Sequence, residues 1–187
     1  MASPEALDFL LTRRSRPPKL FSPPGPDRDE LMRILTAAAR VPDHGKLEPW
    51  RFVVLEGAGK ARFAAAIRER APMAGQDPDK GALAFEQAPL AVAVVSSPKP
   101  SDKIPAIEQT LSAGNVALSL LNAALAAGWG ASWMTGWAAY DRPLVEGVLG
   151  LAPEESLIGF VYLGSCATPP PDRPRPDVPA LVTWIGD

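Results

Sequence analysis

The sequence predicts a single domain, spanning residues 1–187, that combines helices with a buried sheet. A chain of 187 residues is long enough for one full hydrophobic core and a little short for two independent ones. Residues 90–95 form a continuous apolar run of strand length, which predicts a central strand buried on both faces. A long helical pattern runs from Pro105 to about Ala127, and polar residues interrupt it too often for a membrane span. We predict that it is the most buried helix and that its small residues also suit a dimer interface.

The first half of the chain shows clear helix starts. Ser3, followed by Pro4, predicts the cap of a first helix that ends near Thr12. Asp27 and Glu30 predict a capping box at the start of a second helix. Further elements are expected in this order: a strand over residues 50–55, a helix over about 60–70 and a weakly helical stretch over 77–86.

The second half of the chain is predicted to complete the sheet and then to continue as an arm outside the sheet. After the long helix we expect a strand over residues 131–135, a short helix capped by Asp141, and a clear strand over 157–164. The segment 168–187 is a proline-rich arm, and prolines cannot pair inside a sheet, so the arm is predicted to cross a surface. Its last part, 181–185, could form a terminal strand, which in a dimer could lie against the partner subunit.

Composition and charge exclude several classes of protein. An apolar content of 47% with 21% charged residues excludes general disorder. Nineteen basic against 21 acidic residues, with no basic block, give no support for nucleic acid as a partner. One cysteine and one histidine cannot build a structural zinc site, and a lone cysteine fits a reducing cytoplasm. No signal or membrane anchor is predicted, so we expect a cytoplasmic protein without a membrane partner.

The clearest candidate binding residues are Arg13, Arg14 and Ser15, which follow the first helix. Two guanidinium groups and a hydroxyl suit bidentate contact with a phosphate monoester. The alternative is that both arginines only complement the dipole at the helix C-terminus. Position alone does not decide between these two interpretations.

The only histidine, His44, lies in a loop between Pro42 and Pro49. Prolines interrupt regular structure, so this loop is predicted to hold a ligand rather than to continue a helix. A serine hydrolase is not supported, because no Gly-x-Ser-x-Gly elbow occurs. Phosphate loops of the Walker and Rossmann types are also absent. The pair Glu154-Glu155 is predicted to be a solvated turn, whereas Trp133 and Trp137 flank a turn that could line a ring-binding pocket.

Together these motifs resemble the FMN-dependent nitroreductase family. The resemblance rests on Arg-Arg-Ser after the first helix, the Ala-x-x-Pro-Asp-His loop that leads through Pro-Trp into a Phe-Val-Val strand, and the closing Gly-Phe-x-Tyr-Leu-Gly. The resemblance covers about residues 6–163. Within the family, the chain most resembles the minimal bacterial YdjA-like branch. Each motif is weak alone, but their order and spacing are fairly specific.

The resemblance implies an α+β fold with a central mixed or antiparallel sheet flanked by helices. It also implies a homodimer with a swapped C-terminal segment and with FMN at the subunit interface. In such a dimer, cofactor contacts are expected from two groups of residues: Arg13, Arg14, Ser15, Met134, Thr135 and Gly136 of one subunit, and His44 and Glu48 of the other. Glu48 stands where an amide is more usual, and Met134 stands where an arginine is more usual. Arg173 or Arg175 of the arm could supply the missing positive charge.

The implied activity is that of an NAD(P)H oxidoreductase that reduces nitroaromatics, quinones or similar electron-poor acceptors in a ping-pong reaction. No metal and no catalytic side chain are expected, because the flavin carries the hydride chemistry. Two alternatives remain open from the sequence. One is a flavin-binding carrier or redox sensor without turnover, and the other is an enzyme that fragments its own flavin on the same fold.

Overall fold

The computed structural model of the chain describes residues 3–168 and 170–186. Within these residues the elements follow one another in this order: α1 Pro4–Thr12, α2 Arg28–Ala38, β1 Trp50–Leu55, α3 Gly57–Arg70, α4 Ala82–Gln87, β2 Leu90–Ser96, α5 Ala106–Ala126, β3 Gly130–Met134, α6 Trp137–Tyr140, α7 Arg142–Leu149 and β4 Ser156–Gly164. Short 3-10 turns lie at Pro18–Leu20, His44–Lys46, Ala71–Ala74 and Pro179–Leu181.

The four strands form one sheet in the order β1-β2-β4-β3, and every neighbouring pair is antiparallel. All seven residues of β2 are buried, which confirms the central position predicted from its apolar run. Helices cover both faces, so the predicted α+β class with a flanked sheet is confirmed, and the sheet is antiparallel rather than mixed.

The two faces of the sheet carry two hydrophobic clusters, because successive residues of a strand point to opposite sides. On one face, Ala91, Ala93 and Val95 of β2 join the cluster beneath α3, α4, α6 and α7. On the other, Val92 and Val94 join the cluster beneath α2 and α5. The first cluster contains four aromatic rings in edge or tilted contact, with centroids 4.9–6.2 Å apart: Phe63, Phe85, Phe160 and Tyr162.

Helix α5 has the boundaries that its apolar pattern predicts, and it contains more buried residues than any other described helix. It also carries large apolar side chains that the rest of the chain leaves exposed, namely Ile107, Leu111 and Leu118. Among the described helices, none is both long and apolar enough to cross a membrane.

Some local predictions are confirmed only in part. Ser3 occupies the predicted N-cap position of α1 and Pro4 follows it in the first turn, but the Ser3 hydroxyl makes no capping bond. Helix α3 begins at Gly57, before its predicted start near residue 60, and α6 was not expected. The capping box at Asp27 and Glu30 is confirmed, with both reciprocal hydrogen bonds present.

The predicted terminal strand over 181–185 is also wrong for the single chain. Residues 182–186 pair with neither edge of the sheet, and a strand requires such a pairing to satisfy its backbone groups. Trp184 is 90% exposed and Ile185 is 98% exposed. The arm therefore ends in apolar side chains that the described chain does not cover.

Candidate functional site

Arginines from both ends of the chain meet around one cavity of about 410 Å³. We name it the arginine cavity, and its lining residues are Arg13, Arg14, Ser15, Pro17, Ser132, Trp133, Arg173 and Arg175. The structure thus brings the predicted Arg-Arg-Ser motif together with the two arginines of the C-terminal arm. From the sequence, the arginines of the arm are expected only as a substitute for a missing cation.

The backbone fixes the Arg-Arg-Ser segment between a helix end and the edge of the sheet. Helix α1 ends where the Arg13 amide donates to the carbonyl of Phe9 at 2.7 Å. The amide of Arg16 then donates to the carbonyl of Ala131 in edge strand β3 at 2.8 Å. Two backbone bonds, one on each side, therefore hold the intervening side chains against the sheet.

Four arginines line the arginine cavity, and among the described residues only Arg175 pairs with an acid. Burial lowers the pKa of Arg13, and the nearby positive charges of Arg175 and Arg173 lower it further. Its Nε is buried without an acceptor in the described residues, and its Nη2 has only the Ser15 hydroxyl, at 3.4 Å. Asp172 pairs with Arg175 at 2.6 Å, and both side chains are exposed. Because a buried guanidinium without an acceptor is costly, this arrangement suits a bound anion.

A second and larger cavity, of about 580 Å³, lies next to the first. We name it the aromatic cavity. The turn at Met134, Thr135 and Gly136 forms part of its wall. Other lining residues come from α4, α6 and the Pro18–Leu20 turn. Phe85, Phe160 and Tyr162 of the core also line it. Pro17 lines both cavities. Trp133 lines the arginine cavity, and the next residue, Met134, lines the aromatic cavity.

Gly159 in strand β4 shapes the boundary between the two cavities. Strand β4 contains a bulge beside this residue, since Val94 pairs with Gly159 and Val95 with Leu157. Its φ of 151° favours glycine, and a side chain would overlap the indole nitrogen of Trp133 and approach the carbonyl oxygen of Met134 to 3.0 Å. The closing glycine motif therefore has a structural role at the site.

The loop that carries His44 and Glu48 is built around Asp43. The Asp43 carboxylate accepts from the amides of Leu47 at 3.3 Å and Glu48 at 2.8 Å. Lys46 and Glu48 have positive φ values of 54° and 49°, in the left-handed region that is unfavourable for residues other than glycine. Such strained residues often lie at functional sites.

His44 points toward α5 rather than into either cavity. Its Nδ1 lies 2.6 Å from Oε2 of Glu108, near the start of α5, and this partner was not predicted. An ionised carboxylate only accepts hydrogen bonds, so Nδ1 carries the proton in this pair. Neither His44 nor Glu48 lines the arginine cavity or the aromatic cavity. Within one chain, the structure does not join them to the other predicted site residues.

The position of Glu155 differs from its prediction. Glu155 is not in a solvated turn but is buried, and it accepts two hydrogen bonds from Arg51, at 2.7 and 2.5 Å. Hydrogen bonding to Arg51 lowers the pKa of Glu155 to about 2. The two residues are 104 positions apart, so no local sequence pattern could have revealed the pair.

Comparisons with known proteins agree with this architecture. Two relatives have names that describe them provisionally as NAD(P)H nitroreductases: YdjA of Escherichia coli (strain K12), 37% identical over 164 residues, and a Haemophilus influenzae Rd protein, 32% identical over 165 residues. Each match covers 86% of this chain and 88% of the relative.

Solved structures show the same fold. A nitroreductase-like family protein from Bacillus cereus superposes with a TM-score of 0.84 at 21% identity, over 100% of this chain and 99% of that one. NfnB from Sphigopyxis sp. strain HMH, described as an FMN and NADPH-dependent nitroreductase, gives a TM-score of 0.74 at 21% identity, over 97% and 99% of the two chains. Residues 10–165 match the Nitroreductase family itself, so the chain belongs to the nitroreductase family, as its motifs predicted.

Proposed function

We propose that this nitroreductase-family oxidoreductase is an FMN-dependent enzyme that oxidises NAD(P)H and reduces nitroaromatics, quinones or similar electron-poor acceptors. The observation that carries the proposal is a cluster of four arginines, of which only Arg175 pairs with an acid among the described residues, directly beside a cavity lined by aromatic rings. FMN combines a phosphate with a planar ring, and the two cavities offer these two kinds of environment side by side.

The arginine cavity fits the phosphate of FMN. Arg13 and Arg14 would provide charge-assisted hydrogen bonds, and the Ser15 hydroxyl a further donor. Arg173 and Arg175 line the same cavity and would add positive charge from the arm. A phosphate would give the buried Nε of Arg13 the acceptor that it lacks among the described residues. The pKa of Arg13 is lowered by burial and then by the positive charges of Arg175 and Arg173, and a phosphate would offset those charges.

The turn at Met134, Thr135 and Gly136 would hold the ring system. Thr135 and Gly136 are exposed at the wall of the aromatic cavity, so their backbone is accessible to a flat ligand. The chemistry that FMN supplies is hydride transfer, from NAD(P)H in one half-reaction and to the acceptor in the next. The protein's tasks are then to bind, to orient and to exclude water, and none of them needs a catalytic dyad.

We further propose a homodimer in which His44 and Glu48 of one subunit complete the site of the other. Within one chain these residues line neither cavity, yet two hydrogen bonds to the Asp43 carboxylate hold their loop in shape. Apolar side chains also lie uncovered on three segments: Leu7, Leu10 and Leu11 of α1, Ile107 and Leu111 of α5, and Trp184 and Ile185 of the arm. Exposed apolar surface of this extent is typical of an interface, and the arm is proposed to exchange between subunits there.

The partly exposed cysteine, Cys166, forms no disulfide within the described residues. Together with the use of NAD(P)H, this supports the proposal that the enzyme works in the cytoplasm.

The visible absorption spectrum of the purified protein, followed by anaerobic addition of NAD(P)H, tests the proposal. We expect flavin bands that bleach with the reduced nicotinamide and return when a nitroaromatic is added. Flavin that binds but does not cycle would instead indicate a carrier or redox sensor. Stoichiometric loss of flavin in oxygen would indicate a flavin-fragmenting enzyme. Failure to bind FMN during titration would refute the proposed function.

A further inference from the structure

The loop that carries His44 lies along the start of α5 and is attached there by two hydrogen bonds. The hydroxyl of Ser112, a residue that is 7% exposed, donates to the carbonyl of Pro42 at 2.9 Å. Nδ1 of His44 lies 2.6 Å from Oε2 of Glu108. Glu108 and Ser112 are four residues apart in α5, so they lie one turn apart on the same face of the helix. The loop therefore follows one face of α5.

Gly45, the residue after His44, brings the loop close to the same end of the helix. Its φ of 75° lies in the left-handed region that favours glycine, and a Cβ at this position would lie 3.3 Å from Cδ1 of Ile104. Ile104 is 9% exposed and comes two residues before α5. A side chain at position 45 would press on Ile104, so the close approach of the loop to α5 depends on this glycine.

Glu108 is the acid that holds the imidazole, although Asp43 is nearer in the sequence. Both oxygens of Asp43 accept from backbone amides, those of Leu47 and Glu48, so this carboxylate shapes the loop instead. Because an ionised carboxylate only accepts hydrogen bonds, the contact with Glu108 keeps the proton of a neutral imidazole on Nδ1. The other ring nitrogen, Nε2, then carries a lone pair and is an acceptor. The His44 side chain is 62% exposed, so a ligand group can reach it.

The pair lies beside apolar side chains of the proposed subunit interface. Ile107 precedes Glu108 and Leu111 follows it by three residues, and these two side chains are 62% and 59% exposed in the single chain. Glu108 and His44 are exposed as well, and an exposed ion pair contributes little to stability. A second subunit that covered Ile107 and Leu111 would remove water from the pair, and a hydrogen bond is electrostatically stronger away from water. The contact therefore suits the orientation of His44 in a dimer better than the stabilisation of the fold.

We propose that Glu108 is a positioning residue for the cofactor site. It holds the proton of His44 on Nδ1 and so presents Nε2 as a hydrogen-bond acceptor to FMN in the other subunit. The ligand atom that meets Nε2 must then be a donor, and FMN offers donors in its ribityl hydroxyls and in the N–H of its ring. This inference rests on the proposed function, because His44 reaches a cofactor only in the proposed dimer. The tautomer of the imidazole can be measured whether or not flavin is bound.

Histidine NMR of the purified protein tests the positioning directly, since the chain contains one histidine. Long-range ¹H–¹⁵N correlation spectra show which ring nitrogen carries the proton, at a pH where the ¹⁵N shifts report a neutral ring. We expect the Nδ1–H form in the wild type. Glu108→Ala should convert most of the protein to the Nε2–H form, which free histidine side chains prefer. Glu69→Ala removes an exposed carboxylate of α3 and should leave the wild-type form unchanged.

The affinity for FMN supplies a second readout. Fluorescence titration should give a dissociation constant about threefold to tenfold higher for Glu108→Ala, as expected for the loss of one hydrogen bond. His44→Ala should weaken FMN binding by at least as much. Adding Glu108→Ala to His44→Ala should have no further effect, because Glu108 acts through His44. An acid with only a structural role would instead add its own loss to that of His44→Ala.

Three results would overturn the inference: an Nε2–H form in the wild type, a tautomer that Glu108→Ala leaves unchanged, or losses of FMN affinity that add in the double variant. Wild-type affinity for FMN in both single variants would also overturn it and would leave the proposed FMN binding standing. Failure of the wild type to bind FMN would refute the proposed function and the role of Glu108 toward the cofactor. The tautomer would then still decide whether Glu108 positions His44.

Discussion

Arg13 and Arg51 are both partly buried arginines beside the sheet, but their surroundings carry opposite charges. Arg51 makes two hydrogen bonds to the buried carboxylate of Glu155 and a third, at 3.1 Å, to the carbonyl of Gly150. Arg13 faces Arg173 and Arg175 and has a buried Nε without an acceptor in the described residues. The fold raises the pKa of Arg51 and lowers that of Arg13. An arginine with an internal partner stabilises the fold, whereas one without a partner is available to a ligand.

The largest expected effect is the loss of stability on replacing Arg51, the arginine with an internal partner. Arg51→Met would leave Glu155 buried without its cation, because the carboxylate is only 7% exposed. We expect the free energy of unfolding to fall by about 2–3 kcal/mol, somewhat below the ~3–5 kcal/mol for fully buried pairs because Arg51 is partly exposed. Urea denaturation measures this change. A loss below about 0.5 kcal/mol, with FMN binding also weakened, would show that Arg51 serves the ligand instead.

Arg13→Met should show the reverse pattern. Removal of this cation relieves repulsion within the arginine cavity, so the free energy of unfolding of the FMN-free protein should change by less than about 0.5 kcal/mol. The dissociation constant for FMN should rise by about 10- to 100-fold, since a charged hydrogen bond contributes ~1.5–3 kcal/mol. Fluorescence titration of FMN gives the constant, and Arg51→Met provides the matched control. Unchanged FMN affinity would mean that Arg13 is only a helix-end charge.

Acid should weaken the paired region around Arg51 and Glu155. The pKa of Glu155 is about 2 in the folded state, below its ordinary value of 4.5, so its contribution to stability is present above pH 4.5. It is lost as the pH falls from about 4.5 toward 2, because protonation then favours the unfolded chain. We expect a loss of roughly 1–2 kcal/mol over this range, allowing for the partial exposure of Arg51. In Glu155→Gln, urea denaturation at the same pH values should show a shallower dependence on pH.

The smallest effects are expected from the arm. Arg173→Ala and Arg175→Ala should each raise the dissociation constant for FMN by about threefold to fivefold, because both side chains are exposed and solvent screens their charges. Asp172→Asn, which removes the acidic partner of Arg175, should slightly tighten binding. If both arginine variants retain full FMN affinity, the arm does not contribute to the phosphate site and the cluster reduces to Arg13 and Arg14.

Patterns that depend on near neighbours in the sequence predicted much of this molecule. The capping box at Asp27 and the burial of β2 are local signals, and the structure confirms both. The Arg-Arg-Ser motif and the turn at residues 134–136 do line adjoining cavities. Their roles toward FMN remain predictions.

Features that depend on distant pairs could not be found in this way. The Arg51–Glu155 pair and the His44–Glu108 contact join residues 104 and 64 positions apart. The place of Tyr162 in the wall of the aromatic cavity was also missed, since strand alternation puts a tyrosine on a face of the sheet but does not show that a cavity lies beside it. The terminal strand was wrong because apolar, β-branched residues form a strand only where they pair with a sheet edge, and this segment pairs with neither β1 nor β3.

The bulge at Gly159 has a consequence for how the protein tolerates sequence change. Interior strand positions usually accept small replacements with local effects only. Here even an added methyl group would displace Trp133 and the turn that follows it, and this segment borders both cavities. A substitution of Gly159 in the middle of β4 is therefore expected to change ligand selectivity first. A survey of natural variants could find functional divergence encoded in the scaffold while the residues that touch the ligand stay the same.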